Sequence, residues 1–215
     1  MKMLPRRLLI AFIICLVGGG SFVYIASSIG SESIERFDTS IIQFVQGLEA
    51  PWLTAVLKTF TWIGSAYVVI PVTVTAFLLL YFVYHHRQQA FLFVTVISGT
   101  VLSNELLKLY FKRERPEIYR IIDAGGFSFP SGHTMMAFSL YTIIAYILWR
   151  NVKSSRGRIL LLLFTIFMII MIAGSRIYLG VHYPSDIVGG LAASTLWVTI
   201  AITIYGAYQN YRAEE

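Results

Sequence analysis

Apolar residues run along this chain in blocks of membrane length, separated by short polar segments. A helix needs roughly 20 apolar residues to cross the hydrocarbon core of a bilayer. Leu8–Ile29 is the first such block, preceded by Lys2, Arg6 and Arg7. It is longer than the apolar region of a signal peptide, about 7–15 residues, so it reads as an uncleaved span. The other five spans are Ala66–Tyr84, with Pro71 inside it, Gln88–Tyr110, Ser131–Trp149, Ile159–Tyr178 and Ser185–Tyr205. Glu32–Leu48 has a different pattern. Ile34, Phe37, Ile41, Phe44, Val45 and Leu48 recur at three- and four-residue steps, with Glu35, Arg36, Asp38 and Gln43 between them. This is an amphipathic helix, either lying at the membrane interface or packed on the bundle. Pro51–Trp62 reads as a short lead-in helix, divided by Gly64-Ser65 from the span that follows.

Composition agrees with this pattern. Of 215 residues, 57% are hydrophobic and 13% charged, and mean hydropathy is +0.71. An ordinary soluble domain carries about 25% charged residues. A disordered chain, a disulfide scaffold and a soluble domain are therefore excluded, and Cys15 is the single cysteine. The expected fold is all-α. It is a polytopic membrane protein, a bundle of six transmembrane helices plus an interfacial amphipathic helix, forming one domain over residues 1–215. Gly18–Gly20 in the first span serve either contact with another chain or packing within this one.

The formal charge of +6 needs no nucleic acid to explain it, because the basic residues alternate with the spans. Six spans place both termini on one side. That side carries Lys2, Arg6 and Arg7, then Arg87, then Arg150, Lys153, Arg156 and Arg158, then Arg212. It is cytoplasmic by the positive-inside rule, and a seventh span would separate the N-terminal basic residues from the Arg150–Arg158 loop. Lys108, Lys112, Arg113, Arg115, Arg120 and Arg176 break the rule, since they lie at the outer ends of spans or between them. An anion at that face would account for them.

The same face gathers titratable groups. Charges at membrane depth are costly and point to function, although a lone Lys or Arg near a span end commonly snorkels to headgroups. Here Lys108, Arg115 and Arg176 meet two histidines, whereas His85 and His86 lie in a cytoplasmic turn and read as solvated. Ser131-Gly132-His133 opens a helix, where unpaired amides bind anions or are simply capped. His182 and Asp186 are four residues apart at another helix start. The carboxylate there either fixes the tautomer of a nucleophilic His182 or makes a structural hydrogen bond. A nucleophile, a proton donor such as His133 and a cationic cage together suit phosphoryl transfer. Glu105, Glu114, Glu117 and Asp123 form no metal-ligand pattern, and Glu105 is expected to pair with Lys108 on one helix face.

Three motifs then give the sequence a likeness. Lys108, six residues, Arg115-Pro116 resembles the first signature of the type-2 phosphatidic acid phosphatases. Pro130-Ser131-Gly132-His133 resembles the second. Ser175-Arg176, five residues, His182, three residues, Asp186 resembles the third. The resemblance covers segments 108–116, 130–133 and 175–186 and implies a six-helix membrane phosphatase that needs no metal or other cofactor. It implies His182 as nucleophile through a phosphohistidine, Asp186 as the group that orients it, and His133 as general acid. Lys108, Arg115, Ser131, Gly132, His133 and Arg176 would hold the phosphate. The superfamily's vanadate-binding haloperoxidases are soluble, and the spans here argue against that activity. The short loop Pro116–Pro130 is similar to that of compact bacterial enzymes acting on phosphatidylglycerophosphate or undecaprenyl diphosphate, with phosphatidic acid a third candidate substrate. Phe127 and Phe129 either line the entrance for the lipid tail or pack the loop. The expectation is thus a multi-pass plasma-membrane enzyme with cytoplasmic termini, an outward site, a lipid phosphate substrate entering laterally and no nucleic acid partner. A phosphotransferase using the same site and an anionic-lipid binding or transport protein are the alternatives.

Overall fold

Eight α-helices carry the chain back and forth in a computed structural model that describes residues 4–117 and 119–214. They are α1 (Leu4–Ser28), α2 (Glu32–Gln46), α3 (Pro51–Ile63), α4 (Ala66–Leu78), α5 (Arg87–Phe111), α6 (Gly132–Trp149), α7 (Ser155–Tyr178) and α8 (Pro184–Glu214). No strand occurs among the described residues. Lys2 and the side chain of Arg7, two of the basic groups counted for topology, lie outside them.

Helices α1, α4 with the turn after it, α5, α6, α7 and α8 are long and apolar enough to cross a membrane. Helix α3 has 13 residues. At about 1.5 Å per residue it reaches about 20 Å, short of a hydrocarbon core of about 30 Å. Six spans and a short lead-in helix are therefore the architecture expected from the pattern.

Three boundaries differ from the apolar runs for local reasons. Helix α7 begins four residues earlier than its apolar run because Ser154 caps it, its Oγ accepting from the Gly157 N–H at 3.0 Å. Helix α8 runs on to Glu214 because nothing after Tyr205 breaks it; polar Gln209, Asn210 and Arg212 simply continue the helix. Helix α4 continues through Pro71 and passes into a π-helical turn at Leu79–Val83 before the exposed His85-His86 link.

Helices α6 and α8 form the centre. Helix α6 packs against α5, α7 and α8, while α1 lies along α8 and α4 along α5. In lipid, helix association rests on close packing and internal hydrogen bonds, because lipid tails are as apolar as the helices. Both are present. Val96, Ile97, Leu140, Ile143 and Val198 are buried together, and Thr100 Oγ1 donates to Ser139 Oγ at 2.8 Å within the bundle. The Trp197 indole donates to the Val96 carbonyl at 3.0 Å and lies where a Cβ on Gly99 would stand. Gly18 brings α1 onto α8, since a Cβ there would sit 3.3 Å from the Ala192 carbonyl oxygen, while Gly19 and Gly20 face open space. The glycine cluster thus packs within the chain at Gly18.

Helix α2 is amphipathic as expected, yet its inward side differs from the expectation. It rests on α7 and α8, buries Ile34 and leaves Phe37 and Phe44 exposed. Asp38, read from the sequence as a polar-face residue, is 2% exposed. It lies four residues after Ile34, on the stripe that meets the bundle.

Candidate active site

The ends of α5 and α7 and the starts of α6 and α8 meet at one end of the bundle, stitched together by backbone bonds. The Ser131 N–H donates to the Asp186 carbonyl at 3.1 Å, Ser128 N–H to Arg113 at 2.8 Å and Ile121 N–H to Leu179 at 3.1 Å. Gly180 turns the chain at φ +75, and a Cβ there would collide with the Tyr119 carbonyl. Only glycine both adopts that conformation and leaves the loop room to lie on the turn.

Pro184 starts α8 and Asp186 sits in its first turn, fully buried. Asp186 Oδ2 accepts from the Tyr183 N–H at 2.9 Å, one half of a capping box, and lies 3.2 Å from His182 Nδ1. With Nδ1 donating to the carboxylate, Nε2 carries the lone pair. It accepts from Arg115 Nη1 at 3.0 Å. His182 is 1% exposed. Burial pushes its pKa well below the usual 6.5, and the charges of Arg115, Arg176 and Lys108 push it the same way, so the ring is neutral.

The cations are held in different ways. Arg115 donates through Nε to the Gly125 and Gly126 carbonyls at 3.1 and 3.0 Å and through Nη1 to Val181 at 2.8 Å, which ties the loop to the turn before α8. Arg176 is 5% exposed and donates through Nη1 to Thr61 of α3. Its Nε is the one buried side-chain nitrogen or oxygen among the described residues without a partner. A buried donor left open at this position invites an anion. Lys108 lines a cavity of about 400 Å³ with His133, Val69, Val74, Ile97 and Val101, running between α4, α5 and α6.

Ser131 caps α6. Its Oγ accepts from Thr134 Oγ1 at 3.0 Å, with the Thr134 N–H 3.5 Å away. Gly132 has no room for a side chain, because a Cβ would stand 2.8 Å from Asn104 Oδ1. Asn104 crosses from α5 and donates through Nδ2 to the Pro130 carbonyl at 3.1 Å. A Cβ on Gly64 would stand 2.5 Å from Ile172 and 3.4 Å from the His133 ring, so this glycine lets the α3–α4 turn come close to the histidine.

Every residue that the sequence singles out for the site, Lys108, Arg115, Ser131, Gly132, His133, Arg176, His182 and Asp186, thus lies at this end of the bundle. Two neighbouring expectations need correction or a choice. Glu105 and Lys108 form no ion pair, although both line the cavity. Three-residue spacing places two side chains on one face but does not bring their ends together. Phe129 packs the loop rather than lining an entrance. It is fully buried, with ring centroids 5.0 Å from Phe111 and 5.7 Å from Phe22. Among the described residues no three His, Cys, Asp or Glu side chains gather as metal ligands.

Four neighbours of the site escape the sequence reading of the catalytic set: Thr61, Asn104, Arg113 and Asp38. Arg113 Nη1 donates to Asp186 Oδ1 at 2.8 Å and Nη2 to Asp38 Oδ2 at 2.8 Å. A signal for Asp38 existed in its register with Ile34 on the inner stripe of α2. Thr61 and Asn104 carried none.

Comparison with known proteins matches residues 89–209 to the family model described as the PAP2 superfamily. Phosphatidylglycerophosphatase B of Bacillus subtilis is 28% identical over 176 residues, covering 81% of this chain and 86% of that protein. The lipid A 4'-phosphatase of Bacteroides thetaiotaomicron is 26% identical over 179 residues, covering 74% of this chain and 72% of its own. The crystal structure of a transmembrane PAP2 type phosphatidylglycerolphosphate phosphatase from Bacillus subtilis superposes with a TM-score of 0.81 at 25% identity, covering 92% of this chain and 96% of that one.

Proposed function

The chain belongs to the PAP2 superfamily, and from that membership we propose that it is a lipid phosphate phosphatase working through a phosphohistidine, without a metal ion. One observation carries the reading. A buried, neutral histidine, its Nδ1 facing a carboxylate, holds its Nε2 against Arg115 within the field of Arg176 and Lys108, and Lys108 lines an apolar cavity. Phosphatidylglycerophosphate is the first substrate to test, given the likeness to the Bacillus phosphatidylglycerophosphatase. Phosphatidic acid and undecaprenyl diphosphate stand beside it. The whole of residues 1–215 acts as one domain in the cell membrane. The excess of Lys and Arg in alternate loops supports cytoplasmic termini and an outward-facing site.

In this mechanism the substrate phosphate enters among Lys108, Arg115, Arg176 and the amides at the start of α6. Its oxygens offer Arg115 and the open Nε of Arg176 better partners than the resting site does. The freed Nε2 lone pair attacks phosphorus. The bond from phosphorus to the lipid oxygen breaks, its electron pair goes to that oxygen, and His133 supplies the proton. Water then attacks the phosphohistidine and gives a proton back to His133. The phosphorus–nitrogen bond breaks with its electrons returning to Nε2. Throughout, Asp186 keeps the other proton on Nδ1, and the cations offset the charge on the transferred oxygens.

The test is phosphate release by purified protein in detergent with excess EDTA, from the three lipids side by side. Release from at least one is expected. No release from any of them, with or without EDTA, overturns the proposal.

Two further outcomes follow from the geometry. Val101 lines the cavity and is 46% exposed toward lipid, so Val101→Trp fills the groove without disturbing the core. Forcing a tail past an overpacked groove costs about 1–3 kcal/mol, roughly a 5- to 150-fold loss in kcat/KM for long-chain lipids. Hydrolysis of a short water-soluble phosphate ester should be unchanged, and equal losses on both would sink lateral entry. The second outcome concerns protonation. A lowered pKa means that the unprotonated form of His182 persists to lower pH than the ordinary 6.5. In 15N-histidine spectra, the resonance lost in His182→Gln should remain that of a neutral ring at about pH 6. A half-titration at or above the ordinary value would show that burial and the cations do not hold the ring neutral.

A further inference from the structure

Asp38 has no place in the chemistry described so far, yet it is the most deeply buried charge on an otherwise half-exposed helix. A buried carboxylate is costly unless fully paired. Asp38 is fully paired: Oδ1 accepts from the Ser185 N–H at 2.8 Å, and Oδ2 accepts from Ser185 Oγ at 2.7 Å and from Arg113 Nη2 at 2.8 Å. All three donors belong to residues beside the His182–Asp186 pair or bonded to it.

Arg113 is the link. Its guanidinium spans two carboxylates, with Nη2 on Asp38 and Nη1 on Asp186 Oδ1 at 2.8 Å and on Ser185 Oγ at 2.7 Å. The Tyr183 ring lies 4.1 Å from the guanidinium carbon and fixes the plane of the fork. The opposite oxygen of Asp186 faces His182 Nδ1. A buried chain therefore runs from α2 through Arg113 and Asp186 to the ring of His182, and no contact of Asp38 reaches Lys108, Arg115 or Arg176.

We propose that Asp38 is a positioning residue for the reaction, holding Arg113 between two carboxylates so that Asp186 keeps His182 in its attacking orientation. The inference rests on the phosphohistidine reading above. With Asp38 neutralised, the full guanidinium charge leans on Asp186. Its carboxylate is drawn toward Arg113, and its hold on the Nδ1 proton weakens. Phosphate binding is untouched, because the cage lies on the other side of the imidazole.

Asp38→Asn keeps the shape and removes the charge. The experiment measures kcat and KM with phosphatidylglycerophosphate, the affinity for inorganic phosphate by calorimetry, and the 1H resonance of His182 Nδ1–H. The expected result is a fall in kcat of roughly 10- to 100-fold, the scale by which an outer partner of a metal-bound histidine acts, applied here to a reacting imidazole held at one remove. KM and phosphate affinity should hold, and the Nδ1–H resonance should move upfield. In an Asp186→Asn background the same substitution should cost nothing further, since its path is already cut. If Asp38→Asn does not fold, Arg113→Lys tests the same link, for an ammonium cannot fork across both carboxylates, and the same pattern is expected. Losses that multiply in the double variant, or a fall in phosphate affinity in place of kcat, overturn the proposal. An unchanged kcat with an unmoved resonance does so too. The resonance also separates the two claims. If wild type releases no phosphate from any lipid but the signal still shifts, the phosphatase reading fails and the positioning role stands.

Discussion

Turnover should fall about 10,000-fold or more in His182→Ala, the scale seen when a catalytic nucleophile is removed, while inorganic phosphate still binds. The two halves of this expectation come from different parts of the site. In the proposed mechanism chemistry depends on one lone pair, on Nε2, whose direction is set by the Nδ1 contact to Asp186 at 3.2 Å. The other histidine near the cage, His133, serves in the proposed mechanism as the proton donor and does not replace it. Binding, in the same mechanism, depends on Lys108, Arg115 and Arg176, which are carried by α5, the loop after it and α7 and do not need the imidazole. Removing the ring releases Arg115 Nη1 from its bond to Nε2, so phosphate affinity should hold or rise. Labelled phosphate release and calorimetry measure the two quantities separately. A near-wild-type rate in the alanine variant would remove His182 as nucleophile. Loss of binding together with rate would mean that the histidine is part of the cage itself.

His133→Ala should lower kcat about 100- to 10,000-fold on lipid substrates, the usual contribution of a positioned proton donor. On p-nitrophenyl phosphate the loss should be much smaller. A lipid alkoxide cannot leave without a proton, whereas nitrophenolate is stable on its own. His133 opens α6 and lines the cavity between α4, α5 and α6 together with Lys108. It therefore stands at the end of the cavity that a lipid oxygen would reach. The ratio of the two losses is the diagnostic quantity. Equal losses on both substrates would assign His133 to phosphate binding alone.

Much of this arrangement could be read from residue order, because a membrane permits few architectures. Six apolar runs impose alternation, and alternation alone brings Lys108, Ser131, Arg176 and Asp186 to one end. The lead-in helix at Pro51–Ile63 was legible from its length. Where the reading fell short, the cause is that periodicity reports faces and not neighbours. Asp38 shares a stripe with Ile34, but eight other charged or polar residues on the same helix hid it, and only the position of Arg113 shows why it is buried. Glu105 and Lys108 share a helix face, yet their ends do not meet. The π-helical turn at Leu79–Val83 lies within a uniformly apolar run that carries no mark of its backbone geometry. Thr61 touches Arg176 across more than a hundred residues of chain, a contact no local pattern encodes.

The bond from Arg115 Nη1 to His182 Nε2 has one more consequence. A neutral, buried imidazole beside a carboxylate is a reactive group, and a cell contains many electrophiles other than phosphate. While the site is empty, that reactivity is masked: the guanidinium occupies the lone pair, and an uncharged acylating or alkylating agent brings nothing that would draw the cation aside. A phosphate does. The visitors that unmask the nitrogen are those with enough negative charge to compete for Arg115, so in the proposed mechanism the group that binds the substrate also guards the nucleophile against other reagents.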